Sequence, residues 1–341
     1  MVKYGLIVAS TENIGDDIQS LAALQFLPRV DYIINRDYIA YVKCKDNKKI
    51  KAIMNGWFMI RPENWPPPSC IEPLFISFHL APKAATKMVI QQNSIEYFKR
   101  YKVGCRDLWT LRLMRRWKVD AWFSGCLTLT LDYGLRKLKR SNKILIVDLD
   151  PIALKYVPHS VLREAEIITH NLINDSSYST LSRSFILSMR KTLPEEVRLV
   201  FRKSKVIKKM WNTIMEFDES LRYRKLFTKA SKIHLVTRLL RALSYVKKYA
   251  LAKLVLTSRL HAALPAVAFG TSVIFVHRNL NDPRFIGLIK YVNHYELREF
   301  KKIARTLDYN NPPINPHGSE LKELKQKLLK TVLSFVSNKN T

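Results

Sequence analysis

The strongest constraint on this chain is a short, unbroken apolar run that keeps recurring. Residues 4–9 (YGLIVA), 143–148 (KILIVD), 254–257 (LVLT) and 273–276 (VIFV) have strand length and no polar–apolar alternation at their centres. A strand with one wet face alternates, whereas a strand apolar on both faces must be covered on both, as in a parallel sheet lying between helices. The connections agree with this reading. After the first run come a polar turn at residues 10–15 and a helix pattern in which Ile18, Leu21, Ala22 and Leu24 share one face. Residues 254–276 repeat the plan compactly as strand, helix over 261–269 and strand, which is a βαβ unit.

The same alternation extends along the chain. Strand-like runs at 38–42, 51–54 and 74–79 precede a helix over 107–117 marked by Leu108, Leu111 and Met114, and residues 121–123 lead toward Gly125. These predict a first α/β domain over residues 1–140, with its boundary near the basic stretch 136–143. The run at 143–148, closed by Pro151, starts a second series. It continues with a strand at 167–170, a basic amphipathic helix over 181–214, a strand at 232–235, a helix over 239–249, the βαβ unit and a closing helix over 320–336. The second domain is therefore 141–341, and 341 residues is a two-domain length. Open parallel sheets bind ligands beyond the carboxyl ends of their strands, so two paired domains of this kind face one shared cleft.

Lys and Arg number 58 against 28 Asp and Glu, a net charge of +30. The basic residues are spread, with denser stretches at 198–209 and 222–232, and no zinc-finger spacing, RNP-like strand or basic region followed by heptads accompanies them. Nucleic acid is accordingly not expected as a partner, and an anionic membrane surface or anionic substrates fit better. Cys44, Cys70, Cys105 and Cys126 lie far apart, with no CxxC and no Cys/His pair at metal-ligand spacing. This predicts four free buried thiols in a reducing compartment and no metal site. The opening residues lack the basic start and cleavage site of a signal peptide, and Lys253, Arg259, His261 and Pro265 interrupt the apolar stretch 249–276, against a membrane span. A cytoplasmic protein is expected, with peripheral contact at the inner face of the cell membrane left open.

Three segments could carry chemistry. In the first, a strand ending at Thr257 and a helix starting near Leu260 put Ser258, Arg259 and His261 at a strand-to-helix junction. Free backbone N–H groups there attract phosphate or carboxylate, Arg259 can form a bidentate fork, and His261 can exchange a proton near neutral pH. The plainer possibility, a structural ion pair and an ordinary interdomain histidine, weighs about equally on spacing alone. The second segment is Asn13, Gly15 and Asp16 after the first strand, where Asn13 and Asp16 could orient sugar hydroxyls and Gly15 allows close approach of a ligand. A helix cap with an acidic first turn explains it more simply. The third is Arg106-Asp107, with Ser124-Gly125 downstream. Arg106 can reach the cleft, Asp107 can cap the helix after it, and Gly125 can form the edge of the site. GxGxxG after a strand and GxxxxGK[ST] are both absent, so nicotinamide cofactors and P-loop chemistry have little support.

In their order along the chain these segments resemble the polysaccharide pyruvyl transferase family. The resemblance is carried by Asn13, Gly15, Asp16 and Gln19; by Gly104 with Arg106-Asp107; by Ser124 to Thr130 (SGCLTLT); by Ser258 to Ala262 (SRLHA); and by Asp282 to Leu288 (DPRFIGL). Asn55 to Phe58 (NGWF) is similar too, while residues 155–248 contribute no match. The resemblance implies two Rossmann-like domains in a glycosyltransferase-B-like arrangement with an interdomain cleft. Residues 1–140 would then be the acceptor side and 141–341 the donor side. It further implies phosphoenolpyruvate as donor, a glycan or lipid-linked sugar as acceptor, a pyruvate ketal as product, and no cofactor. His261 would be the acid and Arg259 the anion clamp, with Arg106 as a second clamp. Ser258, Asn13, Gly15, Asp16 and Gly125 would line the substrates. A nucleotide-sugar-dependent glycosyltransferase and a non-catalytic basic protein that binds glycan or membrane are the alternative expectations.

Overall fold

A computed structural model describes residues 2–44, 48–90, 92–172, 235–316 and 318–337. Two parallel sheets organise it. The first has the order β2-β1-β3-β4-β5-β6, from β1 (Lys3–Val8), β2 (Tyr32–Asn35), β3 (Ile50–Phe58), β4 (Ile71–Leu80), β5 (Val103–Cys105) and β6 (Ala121–Phe123). The second has the order β11-β10-β9-β7-β8, from β7 (Ile144–Val147), β8 (Glu166–Ile168), β9 (Leu254–Thr257), β10 (Ser272–His277) and β11 (Asn293–Glu296). The helices are α1 (Ile14–Leu24), α2 (Pro82–Ile90), α3 (Gln92–Lys99), α4 (Leu108–Arg116), α5 (Pro151–Leu154), α6 (His159–Glu164), α7 (Leu235–Leu251), α8 (Leu260–Ala268), α9 (Leu297–Ile303) and α10 (Ser319–Ser337). The fold class is α/β, as the unbroken apolar runs require.

Successive strand residues point to opposite faces, and each face is covered. Leu6 and Val8 of β1 turn inward with Ile53 and Ile76, while Ile7 turns outward with Ala52, Met54 and Phe75 onto Met88, Phe98, Leu111 and Met114. In the second sheet Leu145, Val147, Val255 and Val273 face inward, and Ile144, Ile146, Leu254 and Ile274 face Ala153, Val161 and Phe300. Both inner faces meet the same helices, since Leu21 of α1, Leu243 and Val246 of α7, Leu264 of α8 and Leu328 of α10 belong to one continuous core. Inside this layer Asp17 of α1 accepts from Arg238 of α7 at 2.9 and 3.2 Å. The last helix returns to the first sheet, where Tyr4 Oη donates to the Val336 carbonyl at 3.0 Å and Lys51 Nζ to that of Phe335 at 2.6 Å.

Some expectations are corrected. Residues 38–42 do not form a strand: the strand precedes them at Tyr32–Asn35, and a 3-10 helix follows at Arg36–Tyr41. Its cause is local, because Asn35 Oδ1 accepts the Asp37 N–H at 2.9 Å and Arg36 is drawn to Asp16 and Asp37. Nor are the four cysteines all free. Cys44 and Cys70 form a disulfide with their Cα atoms 6.2 Å apart, and only Cys105 and Cys126 are free and buried. The expected helix over 181–214 lies outside the described residues, as does 232–235 apart from Leu235, which opens α7. Among the described residues no helix is long and apolar enough to cross a membrane; the stretch 249–276 is the end of α7, then β9, α8 and most of β10.

Candidate active site

All pairings in both sheets are parallel, so each sheet presents its chain turns at one edge, and the two edges join. Asn13 forms a β-bridge with Asn171, the Ile14 N–H donates to the His170 carbonyl at 2.9 Å, and the Leu172 N–H donates to that of Glu12 at 2.8 Å. On the other flank the Leu108 N–H donates to the Ile286 carbonyl at 3.0 Å, tying the loop after β10 to the start of α4. The N-termini of α1, α4 and α8 all lie along this seam.

From the first sheet come Asn13, Gly15, Asp16 and Arg106. Asn13 is extended and caps α1, its Oδ1 accepting the Gly15 N–H at 3.0 Å. Asp16 is fully engaged, accepting from Thr11 Oγ1 at 2.5 Å, Gln19 Nε2 at 3.1 Å and Arg36 Nη1 at 3.3 Å. Gln19 is thereby oriented so that its Oε1 accepts from Arg106 Nη1 at 3.2 Å. Arg106 is only 1% exposed, yet among the described residues Nε has no hydrogen-bond partner and stands 3.7 Å from Asp107 Oδ2. A buried guanidinium keeping unused donors is costly unless something anionic completes it.

From the second sheet come Ser258, Arg259 and His261. The Ser258 hydroxyl ties three strand ends together: it donates to the Val276 carbonyl at 2.6 Å and accepts the Asp150 N–H at 2.9 Å. Arg259 stands exposed at the rim, its Nε donating to Asp148 Oδ2 at 2.9 Å, and Asp148 also accepts the His170 N–H at 3.0 Å. His261 is the second residue of α8 and meets the first sheet's residues directly. A Cβ on Gly15 would lie 3.2 Å from His261 Cβ, and Cys126 Sγ is 3.9 Å from His261 Nε2.

The electrostatics centre on His261. Burial holds its pKa well below the ordinary value, and the Arg106 charge, with that of Arg284, pushes it further down, so the ring is neutral in this state. Nearby, Arg284 is engaged by Asp282 through two bonds of 2.8 and 2.7 Å. His170 is pushed down to about 3, chiefly by burial, and its Nε2 meets Tyr249 Oη at 2.6 Å. Burial alone would raise the Asp107 pKa, but His79 and then Arg106 outweigh it and hold the carboxyl below its ordinary value. Arg259 and Arg284 are therefore already paired with Asp148 and Asp282, whereas Arg106 keeps Nε unpartnered among the described residues.

Asn13, Gly15, Asp16, Arg106 and His261 are thus brought to one place, with Ser258 and Arg259 beside them on the second sheet. Gly125 serves packing. Its φ is +68°, and a Cβ there would come 2.7 Å from Leu324 Cδ2 of α10. His79 and Asp148 were not singled out by the sequence. Asp148 could have been, since it ends the KILIVD run where a strand-end residue meets ligand, whereas His79 lies within the apolar run FISFHL. Among the described residues no group of three or more His, Cys, Asp or Glu converges as a metal site. A family model described as polysaccharide pyruvyl transferase matches residues 89–279, more than half of the chain. The matched span includes Arg106, Gly125, Ser258, Arg259 and His261 and leaves Asn13, Gly15, Asp16 and Arg284 outside it. No curated protein matches the chain.

Proposed function

The chain belongs to the polysaccharide pyruvyl transferase family, and we propose that it transfers the enolpyruvyl-derived group of phosphoenolpyruvate to two hydroxyls of a glycan sugar, forming a cyclic pyruvate ketal. The observation that carries this reading is Arg106: fully buried, with its Nε donor unpartnered among the described residues, and close enough to His261 to depress its pKa. A small carboxylate–phosphate donor would satisfy that guanidinium and supply the charge that the cationic pocket lacks.

The atoms balance without any redox step. Two C–O bonds form at the enol carbon and its bond to the phosphate oxygen breaks. Of the two hydroxyl protons, one is accounted for by the new methyl group and the other by the released phosphate. His261 is neutral when the pocket is empty. A trianionic donor raises its proton affinity, so the imidazole gains a proton as the donor binds and gives it to the methylene carbon, creating an oxocarbenium-like centre. Neutral again, it takes the proton of the first attacking hydroxyl, and the second hydroxyl's proton leaves with phosphate. Arg106 grips one anionic end and Arg259, released from Asp148, grips the other. Asn13, Asp16 and Gln19 act as scaffold, because their contacts hold the α1 start and Arg106 in place. We read the joined strand edges as a glycosyltransferase-B-like cleft, with residues 1–140 toward the acceptor and 141–341 toward the donor. The charge of +30 suits an anionic or lipid-linked glycan at the inner face of the membrane.

The test is phosphate release from phosphoenolpyruvate in the presence of glycan acceptors. We expect acceptor-dependent release that falls by about 100-fold or more in His261→Ala, the range for loss of a general acid. Turnover of a nucleotide sugar with no consumption of phosphoenolpyruvate would overturn the reading.

A further inference from the structure

Three fully buried side chains form a chain beside the seam of the two sheets: His79 near the end of β4, Asp107 at the N-cap of α4, and Arg106 between β5 and that cap. Both oxygens of Asp107 are held by other donors. Oδ1 accepts the Thr110 N–H at 2.8 Å, and Oδ2 lies 2.6 Å from His79 Nδ1. Because Asp107 stays ionised, Nδ1 is the protonated nitrogen and donates, leaving Nε2 as the lone-pair nitrogen, unpartnered among the described residues. Thr110 Oγ1 packs 3.3 Å from the same Nδ1 and accepts the Leu80 N–H at 3.3 Å. Arg106 Nε, by contrast, lies 3.7 Å from the same Oδ2, which is beyond hydrogen-bond reach.

We propose that His79 is a positioning residue for the donor anion: by occupying Asp107 Oδ2 it keeps that carboxylate from closing onto Arg106 and leaves the buried guanidinium open to a carboxylate or phosphate. The competition is one of distance. A direct Arg–carboxylate bond has a length of about 2.8 Å, so the gap that His79 maintains is only about 1 Å wider than contact. Without the imidazole donor, Asp107 would turn its spare oxygen to Arg106, whose Nε stands 3.7 Å from it, and the pair would be satisfied internally. The identity of the anion rests on the pyruvyl-transfer reading, but the positioning of Arg106 does not.

The test is calorimetric titration of the full chain with phosphoenolpyruvate and, separately, with inorganic phosphate. His79→Leu keeps the volume and removes the donor. His79→Asn places an amide N–H close to the position of Nδ1–H, and His79→Gln places it near Nε2 instead. We expect His79→Leu and His79→Gln to weaken binding about tenfold or more and His79→Asn to stay within about threefold of wild type, as expected for a hydrogen bond to a charged group. The KM for phosphoenolpyruvate should rise in the same order while the acceptor KM stays constant. If wild type binds phosphate but not phosphoenolpyruvate and the variants keep this order, the positioning role stands and pyruvyl transfer fails. Wild-type affinity in a folded His79→Leu or His79→Gln protein overturns the positioning role. So does a folded His79→Asn protein as weak as His79→Gln, since the shape of the ring, not its donor, would then be what counts.

Discussion

Arg106 concentrates the tension in the candidate site, being almost wholly buried with one side-chain bond to Gln19 at 3.2 Å. Arg106→Lys replaces a planar fork with a point charge. We expect it to weaken phosphoenolpyruvate binding about tenfold or more, read by calorimetry, with little change in thermal stability. A second outcome concerns His261, whose pKa burial and then the surrounding cations hold well below 6.5. The free protein carries it neutral, and the proposed mechanism requires it protonated in the complex, so donor binding near pH 7 is expected to take up a proton and to weaken as pH rises. Titrations in buffers of different ionisation enthalpy should report that uptake in wild type and not in His261→Ala. Arg106 and His261 were legible because each sits where an apolar run ends and a helix begins. His79 was not, because an apolar run surrounds it and its partner, Asp107, lies 28 positions away.

At the scale of elements, the most legible unit was the one whose parts are adjacent in sequence: β9 at Leu254–Thr257, α8 at Leu260–Ala268 and β10 at Ser272–His277. Apolar continuity sets both strands, and Gly270 at φ +75° ends the helix between them. β11 escaped notice because Asn293–Glu296 has no apolar run, being an edge strand that, among the described residues, pairs with β10 alone. Residues 38–42 misled for the opposite reason: the apolar letters are there, but the Asn35 cap and the Arg36 ion pairs bend the backbone instead. The seating of α10 is sensitive to one glycine of the first half. Gly125 occupies the left-handed region at φ +68° with no room beside Leu324. Gly125→Ala should therefore lower unfolding stability by about 2–4 kcal/mol in urea melts, combining backbone strain with overpacking.

Across the whole molecule, buried titratable groups tie stability to pH, with opposite signs. His170 titrates at about 3 in the folded chain against 6.5 when unfolded, so as pH falls below 6.5 the unfolded chain gains a proton that the folded one refuses. Stability is lost through that window. Between pH 6.5 and 5 the loss from this group amounts to about 2 kcal/mol, and His170→Asn should flatten the slope measured by urea unfolding. Asp17 works the other way: burial, resisted by Arg238, raises it from 3.8 to about 6, so its contribution is lost as pH climbs through that interval. Asp17→Asn should accordingly steepen the acid-side fall. The global topology was the least legible feature. The spacing of Leu321, Leu324, Leu328 and Val332 declares a buried face on α10 but not which sheet receives it. That the answer is the first sheet has a consequence for synthesis. During translation the strands of the first sheet emerge early yet keep part of their oily inner surface bare until residues 319–337 clear the ribosome, so the nascent first half must be shielded or wait, and its assembly is finished only by a segment made after both sheets.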